Sequence, residues 1–166
     1  GALPQRIGTL IVDEAHLLEQ SFSVVHTQLL HVHAIGLRLR SAGVPPERQR
    51  AIRSALDSLA EAITVTCADD QVHTGLLPTF DLLPGPLRAV ADSLSDLGRN
   101  GKSAEHQRHR RALSHARGAV VNAASGRPTI QISLTPVRRY PLLSVGRGNL
   151  EKPMQALWSR CRSAVL

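Results

Sequence analysis

Aromatic side chains are nearly missing from this sequence: one Trp, one Tyr and two Phe among 166 residues, or 2%. Since 42% of the chain is nonetheless hydrophobic, its core has to be built from Leu, Val, Ile and Ala, which favours packed helices over a sandwich of strands. Cysteine is scarce too. Cys67 and Cys161 stand far apart without C-x-x-C spacing, too few for a disulfide framework, which points to a reduced, cytoplasmic protein. No apolar run approaches the roughly 20 residues that cross a bilayer, and the segment starting at Gly1 lacks the basic-then-apolar order of an export signal. A soluble chain of one domain, or two at most, with no membrane partner is therefore expected. At this length it can bury a core without metals or disulfides.

Some chemistry is excluded by what is not there. No G-x-x-x-x-G-K-[ST] phosphate loop occurs, so the backbone cradle and lysine that hold a triphosphate are absent and these residues alone should not hydrolyse ATP. No Ser-His-Asp or Cys-His arrangement can be assembled. Eight histidines include the close pairs His31-x-His33 and His106-x-x-His109, but beside them only Glu105 could complete a tetrahedral set, so no resident metal is expected. There is no internal repeat and no low-complexity tract.

What the chain does contain is helical periodicity. Apolar residues at Leu18, Phe22, Val25, Leu29, Val32, Ile35 and Leu39 form one stripe, predicting a long helix over 17–40 that Gly43 ends. Pro45-Pro46-Glu47 opens a second helix with Ile52, Leu56, Leu59 and Ile63 on its apolar face. Residues 67–86, rich in Asp, Gly, Pro and Thr, read as a loop. A third helix follows with Leu87, Val90, Leu94 and Leu97, and a fourth over 103–124 with Leu113, Ala116, Val120 and Ala123. Residues 129–134 then alternate apolar and polar at strand period. A short helix over 150–161, which Trp158 anchors to the sheet, precedes the apolar Ala164-Val165-Leu166. The fold class expected is mainly α: a bundle of about four helices flanked by short strands.

Charge is distributed unevenly. Residues 1–98 hold 7 Lys+Arg against 11 Asp+Glu, net −4, whereas residues 99–166 hold 13 against 2, net +11. A cationic end of this kind suits contact with phosphate. Lys102, Arg108, Arg110, Arg111 and Arg117 are the candidate phosphate contacts, with Arg138 and Arg139 beside Pro136 as further ones. With so few aromatics for base stacking, such binding should be electrostatic and sensitive to salt. The competing reading is a solvated helix face.

Near the start, the apolar run Leu10-Ile11-Val12 stops at Asp13-Glu14-Ala15-His16. An acidic pair directly after a buried parallel strand lies at the carboxyl edge of a sheet, where open α/β sheets bind ligands. In phosphate-loop nucleoside-triphosphatases, the first acid holds Mg²⁺ through its water shell and the second orients the attacking water. Asp13 and Glu14 suit those roles.

The strand followed by DEAH resembles motif II, the Walker B box, of superfamily two helicases. At the other end "ISLTPV" (132–137) and "LWSRCRSAVL" (157–166) resemble the segment before motif III of DinG/XPD-like DNA helicases. The resemblance covers both ends closely and the middle only in size and helicity. It implies that residues 1–16 close a RecA-like motor segment, 17–128 form a helical arch, and 129–166 return to the motor. It further implies a 5′-to-3′ DNA helicase that uses ATP and Mg²⁺, with Asp13, Glu14 and His16 at the nucleotide site and His16 coupling it to the motor. Single-stranded DNA or a fork, the rest of the motor and a protein complex are the implied partners. The pathways implied are repair, R-loop processing or CRISPR-associated interference. Many family members carry an iron-sulfur cluster, for which Cys67 and Cys161 have no matching spacing. Two other classes compete: a free-standing basic helical module for nucleic acid, and a helical protein-interaction domain.

Overall fold

A computed structural model describes residues 7–11, 27–95, 97, 103–146 and 151–165. It divides into two compact units, Gln28–Gly146 and a smaller one drawn from residues 1–27 and 147–166.

In the larger unit, strands β2 (Gln28–His31), β3 (His73–Leu76), β4 (Thr129–Leu134) and β5 (Pro141–Val145) form one antiparallel sheet in the order β2-β5-β4-β3. Successive side chains of a strand point to opposite faces. Ile130 and Ile132 therefore share a face with their partners Val145 and Leu143, and Leu30 joins them from β2. All five are buried. The other face presents Thr129, Gln131, Leu142, Ser144 and His31, none of them buried.

Helices α1 (Val32–Ser41), α2 (Pro46–Thr66), α3 (Pro84–Leu94) and α4 (Ala104–Ala124) complete the core. Their buried residues recur at three- and four-residue steps, as in Ile52, Leu56, Leu59 and Ile63 of α2, so each helix turns one stripe inward. Helices α1, α2 and α4 touch the sheet; α3 packs on α2 and α4, and α1 closes the ring against α2 and α4.

Local signals set the ends of these helices. Pro46 and Pro84 occupy first-turn positions, where a missing N–H costs nothing. Helix α1 ends in a Schellman motif: Gly43 N–H donates to the Arg40 carbonyl at 2.9 Å and Val44 N–H to that of Leu39 at 3.1 Å. Gly43 holds φ +65°, the left-handed conformation that glycine adopts without penalty. Gly126, just past the end of α4, is also left-handed at φ +70°, and its N–H donates to the Ala123 carbonyl at 3.0 Å.

In the smaller unit, β1 (Ile7–Ile11) runs parallel to β6 (Cys161–Val165), pairing Thr9 with Ser163 and Ile11 with Val165. The Thr9 and Ser163 hydroxyls lie 3.0 Å apart across a sequence separation of 154. Helix α5 (Glu151–Trp158) leads through a tight turn into β6. No helix among the described residues is long and apolar enough to cross a membrane.

The fold is mixed α/β, which corrects the expectation of a mainly α bundle. Gln28–His31, inside the helix expected over 17–40, is a strand because β5 supplies its hydrogen-bond partners, and helix starts only at Val32. His73–Leu76, inside the expected loop, pairs with β4. Strand β5 was not anticipated. These strands have only four or five residues, too few to display a period, and tertiary pairing decides their conformation. Strand β4, expected in the returning motor segment, sits inside the sheet of the larger unit.

The register sets two neighbours apart. Leu143→Ala should cost about 2–5 kcal/mol because its side chain is fully buried, whereas Leu142→Ala on the opposite face should cost under about 1 kcal/mol. Urea unfolding of the two variants measures this, and the reverse ranking would contradict the register of β5.

Candidate nucleic-acid interface

Helix α4 carries most of the positive charge singled out in the sequence. Its start is fixed by Ser103, whose Oγ accepts from the His106 backbone N–H at 3.2 Å. Burial of Leu113, Ala116, Val120 and Ala123 then sets its rotation. Arg108, Arg111 and His115, spaced by three and four residues, are left on one exposed stripe.

Arg110 and Arg117 have other work. The Arg110 Nε donates to the Ala42 carbonyl at 2.9 Å, and Ala42 caps the C-terminus of α1. The Arg117 Nη1 donates to the Ser95 carbonyl at 2.6 Å, and Ser95 caps the C-terminus of α3. A helix C-terminus carries partial negative charge and carbonyls without helical partners, so a guanidinium is well matched to both needs. These two arginines tie α4 to its neighbours. The His106 ring lies over the same end of α1, 3.7 Å from where a Cβ on Gly43 would stand.

Arg138 and Arg139 occupy the loop between β4 and β5. Thr135 holds that loop closed: its carbonyl accepts from Arg139 N–H at 2.9 Å and its Oγ1 from Tyr140 N–H at 2.7 Å. Arg139 forms an ion pair with Asp70 in the connection between α2 and β3. Both residues of that pair have left-handed φ, +52° and +60°. Arg138 is exposed. Asp13, Glu14, His16 and Lys102 lie outside the described residues. Of the residues proposed to contact nucleic acid, the fold thus gathers Arg108 and Arg111 on one stripe and commits Arg110, Arg117 and Arg139 to internal contacts.

No group of three or more metal-ligating side chains occurs among the described residues. The close histidine pairs part company. His33 meets Tyr140 edge to face at 5.1 Å, and His109 keeps a buried Nδ1 without a hydrogen-bond partner. Cys67 is fully buried at the end of α2, and burial first, then the nearby Asp69 carboxylate, pushes its thiol pKa up. Such a thiol is poorly nucleophilic. Asp69 in turn is held below the usual carboxylate range, chiefly by the hydrogen bond with the His73 ring at 2.9 Å and then by the Gln71 N–H. Sequence reasoning passed over Tyr140, whose one available signal was its standing as the lone tyrosine directly after two arginines.

Two outcomes follow from these contacts. Arg110→Ala and Arg117→Ala should each lower stability by about 1–2 kcal/mol, while Arg108→Ala and Arg111→Ala should stay within about 0.5 kcal/mol. Equal effects in urea unfolding would contradict the division of roles. Because the folded-state pKa of Asp69 is depressed, its contribution exists above the ordinary carboxylate range and is lost as pH falls through the lowered value. The stability gap between wild type and Asp69→Asn should therefore be full at neutral pH and close in acid; a gap widening toward acid would contradict the assignment.

Comparison with protein-family models and with curated proteins finds no match to this chain.

Proposed function

We propose that this chain is the segment between motifs II and III of a cytoplasmic DinG/XPD-like DNA helicase, and that its larger unit contributes a nucleic-acid contact. The parallel pairing of β1 with β6 is the observation that carries the reading. Ile11 and Val165 are register partners, so the two strands end together, and the chain continues from that end of β1 into Val12, Asp13 and Glu14. Nucleotides bind outside the carboxyl ends of parallel strands. Parallel sheets are ordinarily covered on both faces and contain more than two strands, whereas Ile11 is 75% exposed. A larger motor sheet would meet that need.

In this reading ATP and Mg²⁺ supply the driving chemistry. Asp13 holds the metal through its water shell, Glu14 orients the attacking water, and His16 couples the nucleotide site to the motor. The larger unit, with its own sheet and core, serves as the arch. Its Arg108–Arg111 stripe meets the phosphates of single-stranded DNA at a fork without reading sequence.

The experiment is single-stranded DNA binding by the 166-residue chain across a salt series, with wild type compared with Arg108→Ala/Arg111→Ala. Arg110 and Arg117 are kept, since their loss would perturb folding. Wild type should bind, and the double variant should bind more weakly with a salt slope shallower by about 1–2. No binding by wild type at low salt would overturn the nucleic-acid role. In a motor that supplies the phosphate loop, Glu14→Gln should cut ATP turnover by about 100-fold or more. Unchanged turnover would overturn the motif II assignment.

A further inference from the structure

A cleft of about 410 Å³ opens in the larger unit between α1, α2 and the β4–β5 loop, away from the charge stripe of α4 in sequence and in element. Its lining includes His33, Gly36 and Leu37 of α1, Arg53 and Asp57 of α2, and Tyr140. Three features set it apart from ordinary surface. First, it holds the chain's single tyrosine, 43% exposed, braced edge to face by His33 at 5.1 Å with 71° between the rings. An aromatic pair fixed in this way leaves one ring oriented for a further partner. Second, one of its lining residues is an apolar side chain left largely in solvent: Leu37 is 78% exposed. Third, the lining carries one exposed cation, Arg53, and one hydrogen-bond acceptor, Asp57, four residues apart on α2.

Gly36 lends the cleft its depth. An added Cβ there would meet only Leu56 Cδ1 at 3.8 Å, so a larger residue could be housed and its absence leaves open space beside the helix backbone.

A flat, apolar-faced ligand with polar edges, attached to phosphate, matches this combination. We infer that the cleft takes one unpaired nucleobase, stacked on Tyr140, with Arg53 available to an adjoining phosphate and Asp57 to a base N–H. The volume lies within the range of small-ligand sites. This rests on the nucleic-acid role proposed above and adds a base-directed contact to one that is otherwise purely electrostatic. It also explains why the sole tyrosine stands at the surface when the core was short of aromatics.

The test is fluorescence anisotropy with labelled oligothymidylate, oligouridylate and an oligomer of abasic sites, on the whole chain. Tyr140→Ala should weaken binding to a base-bearing strand by about 5- to 150-fold, the range of a single base stack, with the salt slope unchanged. Tyr140→Phe should bind as wild type does. Leu37→Glu, at an exposed helix position where folding is indifferent, should reproduce the loss by blocking the mouth. The abasic oligomer should bind wild type and Tyr140→Ala alike. A loss on both base-bearing strands, or on only one of them, supports the cleft and names the strand that uses it. If Tyr140→Ala and Leu37→Glu bind every strand as wild type does while Arg108→Ala/Arg111→Ala does not, the base cleft is overturned and the phosphate contact stands. If wild type binds no strand at low salt, both fall.

Discussion

The antiparallel pairing of β4 with β5 is the contact on which the larger unit depends. It places Ile130, Ile132, Leu143 and Val145 on one face, and three of the four helices close onto that face. Slipping either strand by one residue would turn these side chains to the solvent side and present Gln131, Ser144 and Thr129 to the core. The same pairing sets the position of the loop that carries Arg138, Arg139 and Tyr140. A single register therefore governs both the core and one of the two candidate contact surfaces.

Charge in this chain divides by geometry rather than by sequence. Four arginines within ten residues of α4 look equivalent when written out, yet helical rotation sends Arg108 and Arg111 to solvent and turns Arg110 and Arg117 toward the ends of α1 and α3. The latter pair satisfies carbonyls that those helices leave open. Positive charge at this face thus serves folding and, in the proposed reading, ligand contact, from neighbouring positions on one helix.

How much was legible depended on length and on local chemistry. Helices α2 and α4 could be read because each runs for 21 residues with proline or serine at the start, long enough for period and cap to agree. Strand β4 could be read because six alternating residues suffice. Strand β2 could not: Leu29 and Leu30 extend the apolar stripe of the helix that follows, and only pairing with β5 makes them extended. Strand β3 owes its conformation to β4, and Gly75 gave no sign that the Phe80 ring would pack 3.5 Å from its Cβ position. The roles of Arg110 and Arg117 rest on contacts 68 and 22 residues away and leave no trace in local sequence. The DEAH stretch lies outside the described residues, and its reading rests on the apolar run before it.

The helicase reading stands on β1 and β6 lying side by side in parallel, and this can be measured directly. Thr9 and Ser163 face each other with hydroxyls 3.0 Å apart. In a chain with Cys67 and Cys161 changed to Ser, Thr9→Cys with Ser163→Cys should oxidise readily to an intramolecular disulfide, visible as faster migration on a non-reducing gel. A chain carrying Thr9→Cys with native Cys161, two residues out of register, should cross-link far more slowly. Free thiols in the first chain under the same oxidant, or equal cross-linking in both, would contradict the paired strands and remove the ground for a nucleotide site after β1.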